Sequence, residues 1–239
     1  MSKRRSSHQR LAPHAGRLAV TAVVALSLAA ACSSGSHTAA PAATAATTTS
    51  TTLAPTTTTL PAGYSAFVDA ADHVSIAVPA TWDQLDPSSA SAAADLQQAL
   101  AVNPQLKSVY PNGVASFEAS GTKFMAFSPT SIGGFQANIN LIATSAPGIV
   151  GGDLVQILPS LETKTESVGG TVTSSFTGTV AGREGLVANI SLPYNLASGR
   201  KATVIEKQDY VAANNTLYVL TFAGTSAAFS TIESTFSVS

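Results

Sequence analysis

The chain has 239 residues, 12 basic and 13 acidic, with a formal charge of −1 and only 10% charged residues. One cysteine and four histidines exclude a disulfide framework and a thiolate metal cluster. The five basic residues Lys3, Arg4, Arg5, Arg10 and Arg17 all precede the first apolar run. Without them, seven basic residues face 13 acidic ones, a charge of about −6, which does not suit a nucleic-acid partner.

That basic start is the n-region of an export signal. Leu18 to Leu28 is an apolar h-region, too short to span a bilayer, which takes about 20 apolar residues. Small residues Ala29, Ala30 and Ala31 follow, then Cys32, the only cysteine. This resembles a bacterial lipobox. The cysteine thiol takes a diacylglycerol, and the leader, residues 1–31, is removed. The favoured leucine stands at Leu28, one residue further from Cys32 than usual. An ordinary cut after Ala31 is the competing reading, and it leaves an exported thiol without a use. Arg4-Arg5 is followed by Ser6 and Ser7 rather than apolar residues, so the general secretory route is expected. The domain's partner on this reading is the membrane, through a lipid at Cys32, on the extracytoplasmic face. Two or more acyl chains hold such a domain stably.

Apart from Cys32, residues 32–62 are almost entirely Ala, Thr, Ser and Pro, with no acidic residue, lysine or arginine. Such composition cannot bury enough apolar surface to offset chain entropy, so a disordered tether is expected. Fully extended it reaches on the order of 90 Å. Its Ser/Thr/Pro content is also that of a glycosylated stalk.

Residues 63–239 are long enough for one domain with its own core. Tyr64 to Val68 and Val74 to Val78 read as strands around a turn at Asp69 to His73. Asp86 and Pro87 signal a helix start, with Ala92, Ala93, Leu96, Ala99 and Leu100 on one face, closed by Asn103-Pro104. Val114 to Ala119 and Lys123 to Phe127 read as short strands. Gln136 to Thr144 is the clearest strand, with Ala137, Ile139, Leu141 and Ala143 on one face and Gln136, Asn138 and Asn140 on the other. Asp153 caps a helix bearing Leu154, Ile157, Leu158 and Leu161, which Pro159 kinks or splits. Two hairpins follow, turning at Ala181-Gly182 and at Asn214-Asn215. Thr225 or Ser226 caps a last helix with Phe229, Ile232 and Phe236 inward. The expected class is α+β, a mainly antiparallel sheet with helices packed on its faces.

VSIAVPATW (74–82), ANINLIAT (137–144), VAGREG (180–185) and QDYVAANNTLYVLTFAG (208–224), in that order behind a lipoprotein leader, resemble the PsbP-like superfamily and its LpqN-type actinobacterial lipoproteins. The resemblance covers nearly all of residues 63–239. It implies a sheet sandwiched by helices and a binding or assembly module rather than an enzyme. It implies no site residues and no cofactor.

Direct signs of chemistry are few. A Ser-His-Asp set in the domain needs His73 beside Asp72, and no G-x-S-x-G elbow presents a nucleophile. Ser120 to Lys123 matches S-x-x-K without its companion motifs. Asp69/Asp72 and Asp83/Asp86 lie in no calcium loop. Trp82 after a strand end reads as a core lid, and Tyr110 as a ligand anchor at most. The polar rows carry the remaining signal. Gln136, Asn138 and Asn140 line one strand, and Glu206, Lys207, Gln208 and Asp209 fall mid-strand in another. Either part of the sheet is an open polar cleft for a partner or ligand, with Gln136, Asn138, Asn140, Glu206 and Gln208 as its residues, or that face is wet. The leading reading is an anchored envelope module that binds an unidentified protein or ligand. The alternatives are a small-ligand or lipid carrier with a sheet–helix cavity, and a hydrolase using His73.

Cys32→Ala abolishes acylation and leaves the chain uncleaved or released. Labelling cells with a clickable fatty acid checks this; equal label on wild type and variant overturns the lipobox reading.

Overall fold

A computed structural model describes residues 60–102, 112–196 and 199–239. Cys32, the leader, nearly all of the tether, Asn103-Pro104 and Tyr110 lie outside the described residues.

Strands β1 (Tyr64–Asp69) and β2 (Val74–Pro79) form the first hairpin. Asp69 holds its turn, because its carboxylate accepts from the backbone N–H groups of Ala71 at 3.0 Å and Asp72 at 3.1 Å. A main sheet follows. Its strands are β3 (Asp83–Leu85), β4 (Thr122–Ile132), β5 (Phe135–Ser145), β6 (Thr171–Val180), β7 (Arg183–Asn195), β8 (Lys201–Ala213) and β9 (Thr216–Ala223). They lie in the order β3-β4-β5-β9-β8-β7-β6, every pair antiparallel. The two predicted hairpins occur where the sequence puts them. Asn214 and Asn215 both take positive φ, 52° and 59°, as a two-residue turn between twisted strands needs.

The central strands of the main sheet are covered on both faces. On one face lie the first hairpin, the short C-terminal strand β10 (Ser237–Val238), which pairs with β2, and the last helix. Phe67 stacks on Phe124 at 4.5 Å, and Ile139, Leu141, Leu220, Phe222, Ile232 and Phe236 fill this layer. The opposite face carries two separate helical covers. Helices α1 (Ala92–Val102) and α2 (Val114–Ser120) close over Leu85, Met125 and Phe127. A 3-10 segment (Gly151–Ile157) and α3 (Leu158–Ser167) close over Leu186, Ile190 and Tyr210. The last helix, α4, spans Phe229–Thr235.

The α+β expectation holds, with a second, three-stranded sheet as the addition. Four local expectations change, one of them at the last helix, whose N-cap is Ala228 rather than Thr225 or Ser226. Residues 114–119, expected as a strand, lie in α2: a short apolar run has no decisive period, and burial of Phe117 beside Leu96 selects the helix. The first helix starts at Ala92 rather than Pro87, because Asp86 accepts from the backbone and hydroxyl of Ser88, making a turn there. Of its expected inner face, Ala92, Leu96 and Ala99 are buried, Leu100 is half-buried and Ala93 is exposed. Asp153 sits at the third position of the 3-10 segment and accepts from the Val150 N–H at 3.4 Å; Pro159 divides this segment from α3, as expected of a proline there.

Gly185 permits close packing of β7 between β6 and β8. A Cβ there would lie 2.6 Å from the Tyr210 carbonyl oxygen and 2.8 Å from Val180. Gly185→Ala is therefore expected to cost about 1–3 kcal/mol, read as a lower urea midpoint at unchanged m.

Candidate functional site

Strand alternation sorts the polar residues. In β5 the odd positions Ile139 and Leu141 enter the layer under the first hairpin, so Asn138 and Asn140 point to the helical face. In β8 the run Glu206 to Asp209 is split. Glu206, Gln208 and Tyr210 share the helical face, while Lys207 and Asp209 point to the opposite one. The register then aligns two rows. Asn138, Ala223 and Glu206 face one another across β5, β9 and β8, and Asn140, Thr221 and Gln208 form the next row. Four polar residues from β5 and β8 thus flank the small side chains of Thr221 and Ala223. This seam lies between the α1–α2 cover and the α3 cover.

The seam is neither an open cleft nor a wet face. Asn138 is 5% exposed, Asn140 1%, Glu206 2% and Gln208 1%. Gln136 is half-buried at its margin, where its amide donates to the Ser128 carbonyl. Both sheet faces being covered, polar side chains in the central strands have no route to water.

Within the seam the partners are uneven. The Tyr210 hydroxyl donates to Gln208 Oε1, and Gln208 Nε2 donates to Glu206 Oε2 at 3.2 Å. Asn138 Nδ2 donates to the Gln136 carbonyl at 3.2 Å. The Asn140 amide, nitrogen and oxygen alike, has no hydrogen-bond partner among the described residues. An enclosed amide in that state costs about 1–3 kcal/mol. Burial drives the Glu206 carboxyl up to about 7, against the lowering effect of its bond from Gln208. Burial, and then the nearby Glu206 charge, raises the Tyr210 phenol, so it stays a donor. Sequence reasoning missed Thr221 and Tyr210. The period-2 pattern of β8 already places Tyr210 beside Gln208 and Glu206.

On the other face, Lys207 bridges two carboxylates, 3.3 Å from Asp209 Oδ1 and 2.6 Å from Glu233 of α4, and lies 5.5 Å over the Phe222 ring. Asp209 is fully buried. Its ion pair is too poorly directed to make a formed hydrogen bond, and Oδ2 has no hydrogen-bond partner among the described residues. Burial raises its carboxyl to about 6, opposed by the Lys207 charge.

The other sequence candidates are accounted for locally. His73 turns the first hairpin at φ 53°, and its carbonyl accepts from the Ser239 N–H at 3.0 Å. The Ser120 hydroxyl donates to the Phe117 carbonyl, and Lys123 pairs with Asp72 at 2.5 Å, so the S-x-x-K residues have separate partners. Trp82 is buried edge-on to Phe229, 6.2 Å between rings, and borders a surface cleft of about 230 Å³ with Asp83, Asp95 and Gln98. Among the described residues no three His, Cys, Asp or Glu side chains group as a metal site.

Glu206 makes stability depend on pH. Its folded value of about 7 lies above the ordinary 4.5, so its contribution is complete below pH 4.5. That contribution is lost as pH rises through 7, by on the order of 3 kcal/mol. Glu206→Gln removes this loss. The variant should match wild type near pH 4 and exceed it near pH 8, read by urea denaturation; a constant difference at both pH values overturns the assignment.

No protein-family model matches the chain, and no curated protein matches it. Solved structures do. Cyanobacterial PsbP from Synechocystis sp. PCC 6803 aligns at TM-score 0.44 and 12% identity, covering 74% of this chain and 94% of that one. LpqN of Mycobacterium tuberculosis, involved in cell envelope biogenesis, aligns at TM-score 0.38 and 13% identity, covering 74% and 85%. A Pseudomonas aeruginosa protein of unknown function aligns at TM-score 0.34 and 10% identity, covering 45% and 71%. The first two bear the names of the groups that the sequence patterns resemble.

Proposed function

We propose that this chain is a lipoprotein of the bacterial cell envelope, anchored through Cys32 on the extracytoplasmic face, whose domain binds an envelope partner without turning it over. The anchor rests on the basic leader, the short apolar run and the lone cysteine after three alanines. Among the described residues no helix is long and apolar enough to cross a membrane.

The observation that carries the binding reading is the Asn140 amide, 1% exposed and without a hydrogen-bond partner among the described residues. Folding alone gains nothing from this polar group. A nonpolar side chain of similar size would satisfy the same space at lower cost. Across the sheet the seam also lies between the two apolar clusters, with Met125 and Phe127 on one side and Ala188 and Ile190 on the other. A partner that parts the covers can donate to the Asn140 oxygen, accept from its nitrogen, and recover the cost of enclosing the amide. Binding then trades a stored deficit for formed hydrogen bonds.

Asn140→Leu separates stability from binding. The variant is expected to be more stable than wild type by about 1–2 kcal/mol in urea, because the orphaned amide is gone. Recovery of partners cross-linked to the anchored protein in its native envelope should fall. Wild-type recovery from the stabilised variant would overturn the seam as the binding site.

A further inference from the structure

Strand β6 ends the main sheet and, among the described residues, is bonded to β7 alone. Seven of its ten residues are exposed, and neither face of the strand is covered over most of its length. Its sequence, TVTSSFTGTV, has no charge and no proline, the usual devices that stop an edge from pairing. Phe176 stands 54% exposed near its middle. The one irregularity falls between Val172 and Ser174, which leaves Ser174 to Val180 in regular register with β7. The strand is thus a row of unpaired backbone donors and acceptors beside an unburied aromatic ring.

The opposite edge of the same sheet is built differently. Strand β3 has three residues and begins with Asp83, so it cannot pair a ten-residue strand head to tail. Pairing of like edges has no such obstacle. An uncharged strand set antiparallel to its own copy brings no like charges opposite each other.

We infer that β6 is the pairing edge for a second copy of this chain, joined antiparallel about a two-fold axis normal to the sheet. Such an axis makes the contact isologous and closed, so it yields a dimer rather than a fibre. It also brings both Phe176 rings to the same face of the joined sheet, where each shields the other. The two main sheets become one continuous sheet, and both exposed edges disappear together.

The test is sedimentation of the full chain in density-matched detergent. Wild type should reach dimer mass, and Ser175→Lys with Thr177→Lys should weaken association roughly tenfold or more. Both positions are exposed, so the fold of the monomer, read by far-UV circular dichroism, should not change. In a Cys32→Ser background, Ser175→Cys should form a disulfide between two copies on mild oxidation. A monomer at about 500 μM, well above a functional Kd, overturns the proposal. So does a dimer that ignores the lysines, or protection of β6 by residues 47–61 of the same chain.

Discussion

Coverage of both faces of the central strands of the seven-stranded sheet is the constraint on which the rest depends. An antiparallel sheet with one wet face tolerates polar residues at every second position. Here the first hairpin with β10 and α4 seals one face, and two helical covers close much of the other. Every side chain in the middle of β5, β9 and β8 must then be apolar, partnered or costly. Most are apolar. The exceptions, Asn138, Asn140, Thr221, Glu206, Gln208 and Asp209, cluster in those three strands.

The two sets of exceptions behave differently because of what lies opposite them. Asp209 faces a lysine, and that lysine is itself shared with Glu233 at the surface of α4. The charge is compensated in part, and the pair ties the last helix to the sheet centre. Glu206 faces no cation at hydrogen-bonding distance among the described residues; it accepts from a glutamine, whose amide oxygen in turn accepts from the Tyr210 hydroxyl. A neutral carboxyl suits that environment better than an ionised one, and burial accordingly drives it toward neutrality near pH 7. Such buried polar groups are weak contributors to stability.

The two ends of the main sheet show the same economy. At β3 the edge is short and charged, with a helix beside it. At β6 it is long, neutral and open on both faces. A ten-residue strand that contributes little to the core still completes the hairpin holding β7, so its inner side is structural. Its outer side has no strand partner among the described residues.

Much was legible in the sequence because it depends on neighbours along the chain. The strand pairs around Ala181-Gly182 and Asn214-Asn215, the alternation in β5, the division at Pro159 and the inner face of the last helix follow from turn chemistry and periodicity, which are local. What could not be read is what lies above a strand. Alternation shows that Asn138 and Asn140 share a face; it does not say whether water or helices cover that face. Nor does it show that Glu206 and Gln208, more than sixty residues later, stand across β9 from them. The helix at 114–120 is the same case, since Phe117 is drawn into a helix by Leu96 and Met125 rather than by its own neighbours. The sequence by itself determined the order of most elements and the polarity of each face. Only the tertiary structure decided that the polar face is buried, because burial depends on contacts between segments far apart along the chain.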